Sequence, residues 1–425
     1  MKIIRFIGLI LLGLWFFAPV HAQKDIRYED WVYEKQVASV QLYKGKNELS
    51  YPVLELNQPG QLTLEFDELG KQASNLTASI VLCDADWSPS SYFATDYYEG
   101  FTYEPINNVQ MSANTRIPYI HYQYTFPTNG RFKKSGNYLL KVYRDNDEND
   151  LLLTRRFIVI EDLVRITTDV GFTANTAERF RLQAVNFYIQ RGAVDLLDPF
   201  AGVSVCVMQN FRWGTMRAGL KPAYVYTDKL EYRFDSQNDF DGGNEYRFFD
   251  LRNLINMTGR MRNLSITDSG MFVALSEDRV RNAVSYSTEP DFNGNFYIGT
   301  YQTPDRDLNA DYAHVQFLLR MTEPLEDGDV YLFGAMTDWR PQERFKMYYS
   351  FEDKCYHRTV LLKQGIYNYQ YVVWNPKWKK PFPDEERLEG SHFETENSYT
   401  IFVYYKSPSD RAARIVGLRH VNYYD

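Results

Sequence analysis

Cysteine is scarce in this sequence: three residues in 425, at Cys83, Cys206 and Cys355. An odd number at wide spacing excludes a disulfide framework and offers no cysteine set for zinc. Cys83 and Cys206 lie in apolar, strand-like runs, so buried free thiols are expected. A surplus of positive charge is lacking too. The chain carries 47 Lys and Arg against 55 Asp and Glu, a formal net charge of -8. A general nucleic-acid binder needs a basic footprint, so no nucleic-acid partner is expected. There is no HExxH for zinc hydrolysis, no GxSxG for an elbow serine and no glycine-rich loop ending in Lys-Ser/Thr to cradle phosphate. No helical periodicity is long enough for βαβ units, which removes Rossmann and α/β-barrel enzymes. Long apolar runs are missing after residue 22, so no direct membrane insertion is expected.

The chain instead carries 34 Tyr, 28 Phe and 7 Trp, 16 % aromatic, with 44 % hydrophobic and 24 % charged residues. That composition is globular, and 425 residues exceed one ordinary core. Tyrosine at this level suits wet β-sheet faces, where the ring packs and the hydroxyl stays hydrated.

The apolar period is two along most of the chain. Val37–Leu42, Leu62–Phe66, Thr77–Leu82, Tyr119–Phe126 and Tyr138–Tyr143 read as strands, with turn chemistry at Lys44–Asn47, Pro59-Gly60, Ser88-Pro89 and Ser135–Asn137. The acidic run Asp145–Asp150 then forms a hairpin tip. A second set of strands is read at Phe180–Val185, Gly202–Met208, Tyr224–Tyr226, Glu245–Phe249, Met271–Leu275 and Asn295–Ile298, with one short helix among them. A third is read at Ala313–Leu319, Asp329–Phe333, Lys346–Tyr349, Tyr356–Leu362, Tyr367–Trp374 and Tyr399–Tyr405. The expected fold class is all-β, as several immunoglobulin-like sandwiches. The expected domains are 23–161, a mostly-β 162–305, and a separately foldable sandwich at 306–425.

Residues 1–22 read as a secretory signal. Lys2 and Arg5 precede the apolar run Phe6–Val20, and Val20-His21-Ala22 offers a cleavage site. That run is shorter than the roughly 20 residues that cross a bilayer. Residue 23 is Gln, not Cys, so no lipid anchor is expected. Export without an anchor places the mature chain in the periplasm.

Several groups invite a chemical reading. Asp84 and Asp86 would share one face of an extended strand, as paired carboxylates do. They stand before Trp87-Ser88-Pro89, where turn formation is the expected role. Asp241-Gly-Gly-Asn-Glu245 reads as a tight loop. Asp145–Asp150 departs from an EF-hand, having Asp150 at the sixth position and Arg156 at the twelfth. His121, His314 and His357 sit inside strand patterns and are expected on sheet faces. No catalytic residue, cofactor or metal is expected.

The stretch Val330–Trp339, followed by Leu362–Tyr371, resembles the early-set sandwiches related to glycogen-binding domains. In such modules a tryptophan after the Phe-Gly strand stacks on sugar rings. The matching positions are Trp339 and then Trp374 or Trp378. The match departs after Tyr371, where the usual Asp-Gly before the second tryptophan is missing.

The stretches Tyr51–Asn57, Cys83–Trp87, Ser135–Tyr143, Met208–Asn210, Leu220–Pro222, Phe240–Glu245, Phe249–Arg252, Asp311-Tyr312, Val330–Gly334 and Leu362–Tyr371 share one further pattern. Through them, from about Val37 to Gly417, the chain resembles the plug-protein family of the type IX secretion system of Bacteroidetes-type bacteria. The resemblance implies a non-enzymatic stopper that closes the periplasmic mouth of the large outer-membrane translocon barrel when no cargo passes. That barrel is then the expected partner, and the protein would be held at the outer membrane through it. A periplasmic glycan-binding protein is the alternative. Expected partner or glycan contacts are Trp339, Trp374, Trp378, Tyr404 and Tyr405.

Overall fold

The computed structural model describes residues 24–423 apart from Ala193, Asp195, Leu197, Asp235, Lys380 and Pro381. The expected signal segment lies outside the described residues. The fold is all-β, in multiple sandwiched sheets, and the described α-helices are three single turns, Ala94–Tyr97, Arg306–Asn309 and Glu386–Glu389. Among the second set of strands the short helices are 3-10 turns, Thr176–Glu178, Trp213–Thr215 and Ser236–Asn238. No helix of the described residues is long and apolar enough to cross a membrane.

Alternation sorts the first unit into two facing sheets. In Leu62–Leu69, the side chains of Leu62, Leu64 and Phe66 enter the core, while Thr63, Glu65 and Asp67 take the other face. Full burial of each such apolar side chain contributes about 1.5–3 kcal/mol. One sheet runs Val37–Lys44, Leu62–Leu69, Tyr119–Phe126, Asn108–Met111. The other runs Trp31–Val32, Leu151–Ile160, Gly136–Arg144, Leu76–Cys83, Tyr103–Pro105, with Val53–Glu55 parallel to Leu151–Ile160. Gly136–Arg144 and Leu151–Ile160 form the expected hairpin around the acidic tip.

The strands after residue 161 do not divide at 305. One core is built from a sheet containing Arg165–Phe172 and Leu182–Gln190, facing another that runs Arg217–Leu220, Val203–Gln209, Ser398–Tyr405, Arg414–Asn422. The chain's last two strands therefore complete the second unit, not a third sandwich at 306–425. The reason lies in Ser398–Tyr405, buried on both faces. Tyr399, Ile401, Val403 and Tyr405 enter the second core. Phe402 and Tyr404 turn the other way and pack with Ile158, Ile160 and Met208 against the first unit.

The third core likewise reaches back before residue 305. Arg247–Asp250 and Phe296–Ile298 flank the long strand Gly365–Trp374, and Phe249 and Phe296 stack on Tyr367 at 5.3 and 5.4 Å. Opposite lies the sheet Met261–Thr267, Gly270–Leu275, Tyr312–Arg320, Cys355–Lys363, Tyr348–Ser350. Its second and third strands run parallel.

Tyrosine is not mainly on wet faces. Tyr119, Tyr122, Tyr138, Tyr312, Tyr367, Tyr369, Tyr371, Tyr399 and Tyr404 are among the largest fully buried side chains. Their hydroxyls are met inside: Tyr369 and Tyr371 both donate to Asp278 Oδ2, and Tyr138 donates to the Lys134 carbonyl at 2.8 Å. A buried tyrosine with a bonded hydroxyl combines a large apolar area with a satisfied polar end.

Candidate functional site

A cleft of about 390 Å³ opens between the second and third units. Arg212, Thr215 and Arg217 line it from the segment after Val203–Gln209, and Asp241 to Asn244 close one end. Phe333, Trp339, Gln370 and Phe382 to Glu386 come from the third unit. The sequence places Trp339 and the Asp241 loop far apart, and the fold brings both to this cleft.

Trp339 is delivered by a turn after Asp329–Phe333. The chain passes through the 3-10 turn Ala335–Thr337 and then two left-handed residues, Asp338 (φ 51°) and Trp339 (φ 55°). Such angles are strained for non-glycine residues. The contacts of the ring and of the preceding carboxylate offset that strain. The indole meets Phe333 at 5.6 Å and Tyr246 at 5.9 Å, both edge-on. The Arg212 guanidinium lies over its face at 4.6 Å. Asp338 accepts from Arg155 Nη2 of the first unit at 3.0 Å. Trp339 thus stands where all three units meet.

Arg212 is itself buried and spoken for. Its two terminal nitrogens grip Glu385 in a fork, and Nη1 also donates to Tyr246 Oη at 2.9 Å. Burial opposes its charge, yet Glu385 and Tyr246 hold the guanidinium firmly protonated. Gln370 donates to the same Glu385 at 2.6 Å. Asp241 and Glu386 both bind Arg181. Thr215 Oγ1 donates to the carbonyls of Gln209 and Arg212. Among the described residues no histidine or cysteine lines the cleft. Among the described residues the cleft offers no nucleophile beside a free base.

The Asp241 loop is structural in detail. A Cβ on Gly242 would stand 1.9 Å from the His392 carbonyl, and Gly243 has φ +67°. Asn397 donates to the Gly242 carbonyl and Thr395 to the Gly243 carbonyl. Asp84 and Asp86 lie elsewhere and do not act as a pair. Asp84 accepts from the Ala85 and Ala413 amides and from Lys406, while Asp86 accepts from Ser88. Both carboxyls are held below the ordinary carboxylate range, Asp84 by these partners against its partial burial, and Asp86 chiefly by Ser88.

The other expected contact residues fare unequally. Trp374 is half-buried against Tyr331, Phe333 and Val372, and Trp378 is half-buried on the third core beside Gly328. Tyr404 and Tyr405 are corrected: at 1 % and 5 % exposure they are interior residues. Tyr404 Oη donates to Asn137 Oδ1 at 2.9 Å, tying the second unit to the first. Reading Ser398–Tyr405 as a near-terminal strand left its second covering layer out. Sequence reasoning also passed over Arg212 and Trp213. Arg156 lies 4.5 Å from the Trp213 ring and 5.3 Å from the Trp87 ring, joining first and second units, and no local pattern marks that sandwich.

The fold and its junctions define a multi-unit all-β protein in which aromatic and charged side chains join the units. Residues 37–161 match the family model "Type 9 secretion system plug protein 1st domain". No curated protein matches the chain. Among solved structures, a hypothetical protein from Parabacteroides merdae ATCC 43184 is 30 % identical, with a TM-score of 0.89, over 94 % of this chain and 100 % of that one. The chain belongs to the type IX secretion system plug protein family. Membership gives it a role related to type IX secretion and to the cell envelope in which that system works.

Proposed function

We propose that this protein is a non-enzymatic plug that binds the periplasmic opening of the outer-membrane type IX translocon barrel and closes it when cargo is absent. The observation that carries this reading is the family match over residues 37–161. An occluder needs a rigid body and a reversible protein interface, and two features support both. The three units are tied by buried polar contacts, Arg155 to Asp338, Tyr404 to Asn137 and Asp67 to Lys363. Within the matched region, Phe93 and Phe101 are 73 % and 74 % exposed, with Tyr103 beside Phe101. Exposed aromatics of this kind serve as interface anchors, where truncation of a central one costs ~2 kcal/mol or more. The glycan alternative is weakened at its main anchor, because Arg212 already covers the Trp339 ring.

A deletion strain should admit a bulky antibiotic normally excluded by the outer membrane, and the leak should vanish when the translocon barrel is deleted as well. Complementation with Phe93→Ala/Phe101→Ala protein should restore the barrier only in part. An unchanged permeability in the deletion strain, or a leak that persists without the barrel, refutes the reading.

A further inference from the structure

The seam between the first and third units is lined with charge. Thr63, Glu65, Asp67, Tyr119 and His121 occupy the sheet face turned away from the first core, and all are buried. They are covered by the turn Arg306–Asn309 and by Tyr312 and Lys363. We infer that Glu65, His121 and Asp307 bind one divalent transition-metal cation, zinc by their chemistry, across this seam.

One ligand atom from each of the three residues lies within 4.8 Å of the others. His121 is 6 % exposed, and its Nδ1 donates to Asp67 Oδ1 at 2.8 Å. A carboxylate in that position fixes the imidazole and leaves Nε2 with its lone pair, as in carboxylate–histidine–zinc arrangements. His121 Nε2 is buried and has no hydrogen-bond partner. A buried nitrogen left without a partner is destabilising, and a bound cation removes that cost. Glu65 accepts from Gln123 Nε2 at 2.6 Å, and among the described residues no Lys or Arg pairs with it. Among the described residues, the cations beside the site are Lys363, paired with Asp67, and Arg306, shared between Glu48 and the ligand Asp307. Negative charge is therefore left over beside an available imidazole.

The donor set selects the ion. One nitrogen and two carboxylates suit zinc, with water completing the shell, whereas calcium and magnesium take oxygen ligands. Asp307 stands on a single helical turn with its side chain 37 % exposed, which gives an ion a way in and the ligand room to close. Glu65 and His121 belong to the first unit and Asp307 to the third. The ion would clamp the two together, and this holds whether or not the protein acts as a plug.

The test uses the full mature chain, stripped with chelator and titrated with Zn²⁺ by calorimetry and native mass spectrometry. The expected result is one ion per chain and a higher melting temperature on loading. Glu65→Gln and Asp307→Asn should each weaken binding at least ~10-fold, as loss of a ligand or its support does. Asp307→Asn changes a half-exposed position and should leave the circular dichroism spectrum unchanged. Co²⁺ substitution should give visible bands that His121→Ala abolishes. No retained zinc, binding indifferent to both carboxylate variants, or a preference for Ca²⁺ over Zn²⁺ overturns the inference.

Discussion

Arg247 shows how single residues carry charge into this interior. It is buried with Glu389 and Asp278, donating to Glu389 through Nε and Nη2 and to Asp278 through Nη1 at 2.9 Å. Arg281 adds a second cation on Glu389, which also accepts from the Tyr371 amide. Burial alone would raise the Glu389 carboxyl, but Arg247 and Arg281 hold it below its ordinary 4.5. A depressed folded value means that the unfolded chain binds the proton more readily. The pair's stabilisation is thus complete above about pH 4.5 and fades as pH falls through the lower folded value. Glu389→Gln should cost about 3–5 kcal/mol at pH 7, because it leaves buried cations under-compensated. The cost should shrink at pH 3, and urea unfolding at both pH values reads it. Little of this network was legible beforehand. Trp339 and the Asp241 loop stood out by residue type and neighbours, and both reached the central cleft. Arg212 and Glu385, which close on Trp339 there, are 173 residues apart and carry no local signature.

Individual strands were well marked by their period of two, but their partners were not. Alternation says which side chains share a face, and nothing about which strand lies alongside. Ser398–Tyr405 looked like the last strand of a terminal sandwich, while its hydrogen bonds run to Val203–Gln209 and Arg414–Asn422. Met261–Thr267 escaped notice because only its first residue is buried. Leu62–Leu69 shows the opposite limit: alternation puts Glu65 and Asp67 on the face away from the first core, and nothing local says that this face is buried beneath the third unit. The discontinuous cores lead to a definite expectation. A fragment spanning 306–425 lacks Phe249 and Phe296, which stack on Tyr367, and it exposes both faces of Ser398–Tyr405. It should show no cooperative thermal transition. A fragment spanning 245–396 keeps the third core together and should melt cooperatively, as followed by circular dichroism.

At the scale of the molecule, stiffness depends on a small number of seams, and Lys363 is the hub of one. Its ammonium meets Asp67 at 2.7 Å and the Asp307 carbonyl at 3.1 Å, and lies 4.1 Å from the Tyr119 ring centre. Asp67 is 1 % exposed and also accepts from Tyr312 Oη at 2.7 Å and from His121. Burial would raise the Asp67 carboxyl, and Lys363 and His121 together bring it below the ordinary range. Asp67 belongs to the first unit and Lys363 to the third, so this ion pair couples their unfolding. Lys363→Met keeps the apolar stem and removes the charge, leaving Asp67 buried with neutral donors and one imidazole. Breaking a buried pair in this way costs about 3–5 kcal/mol. In scanning calorimetry the native protein should unfold with the first and third units in one transition. The variant should split it, with residues 37–161 melting apart from the rest and the calorimetric enthalpy exceeding the van't Hoff value of either step. A single transition at an unchanged midpoint would mean that the seam does not couple the units. The rigidity an occluding body requires would then have to come from the contacts around Trp339 and from the junction of the first and second units at Tyr404 and Arg156.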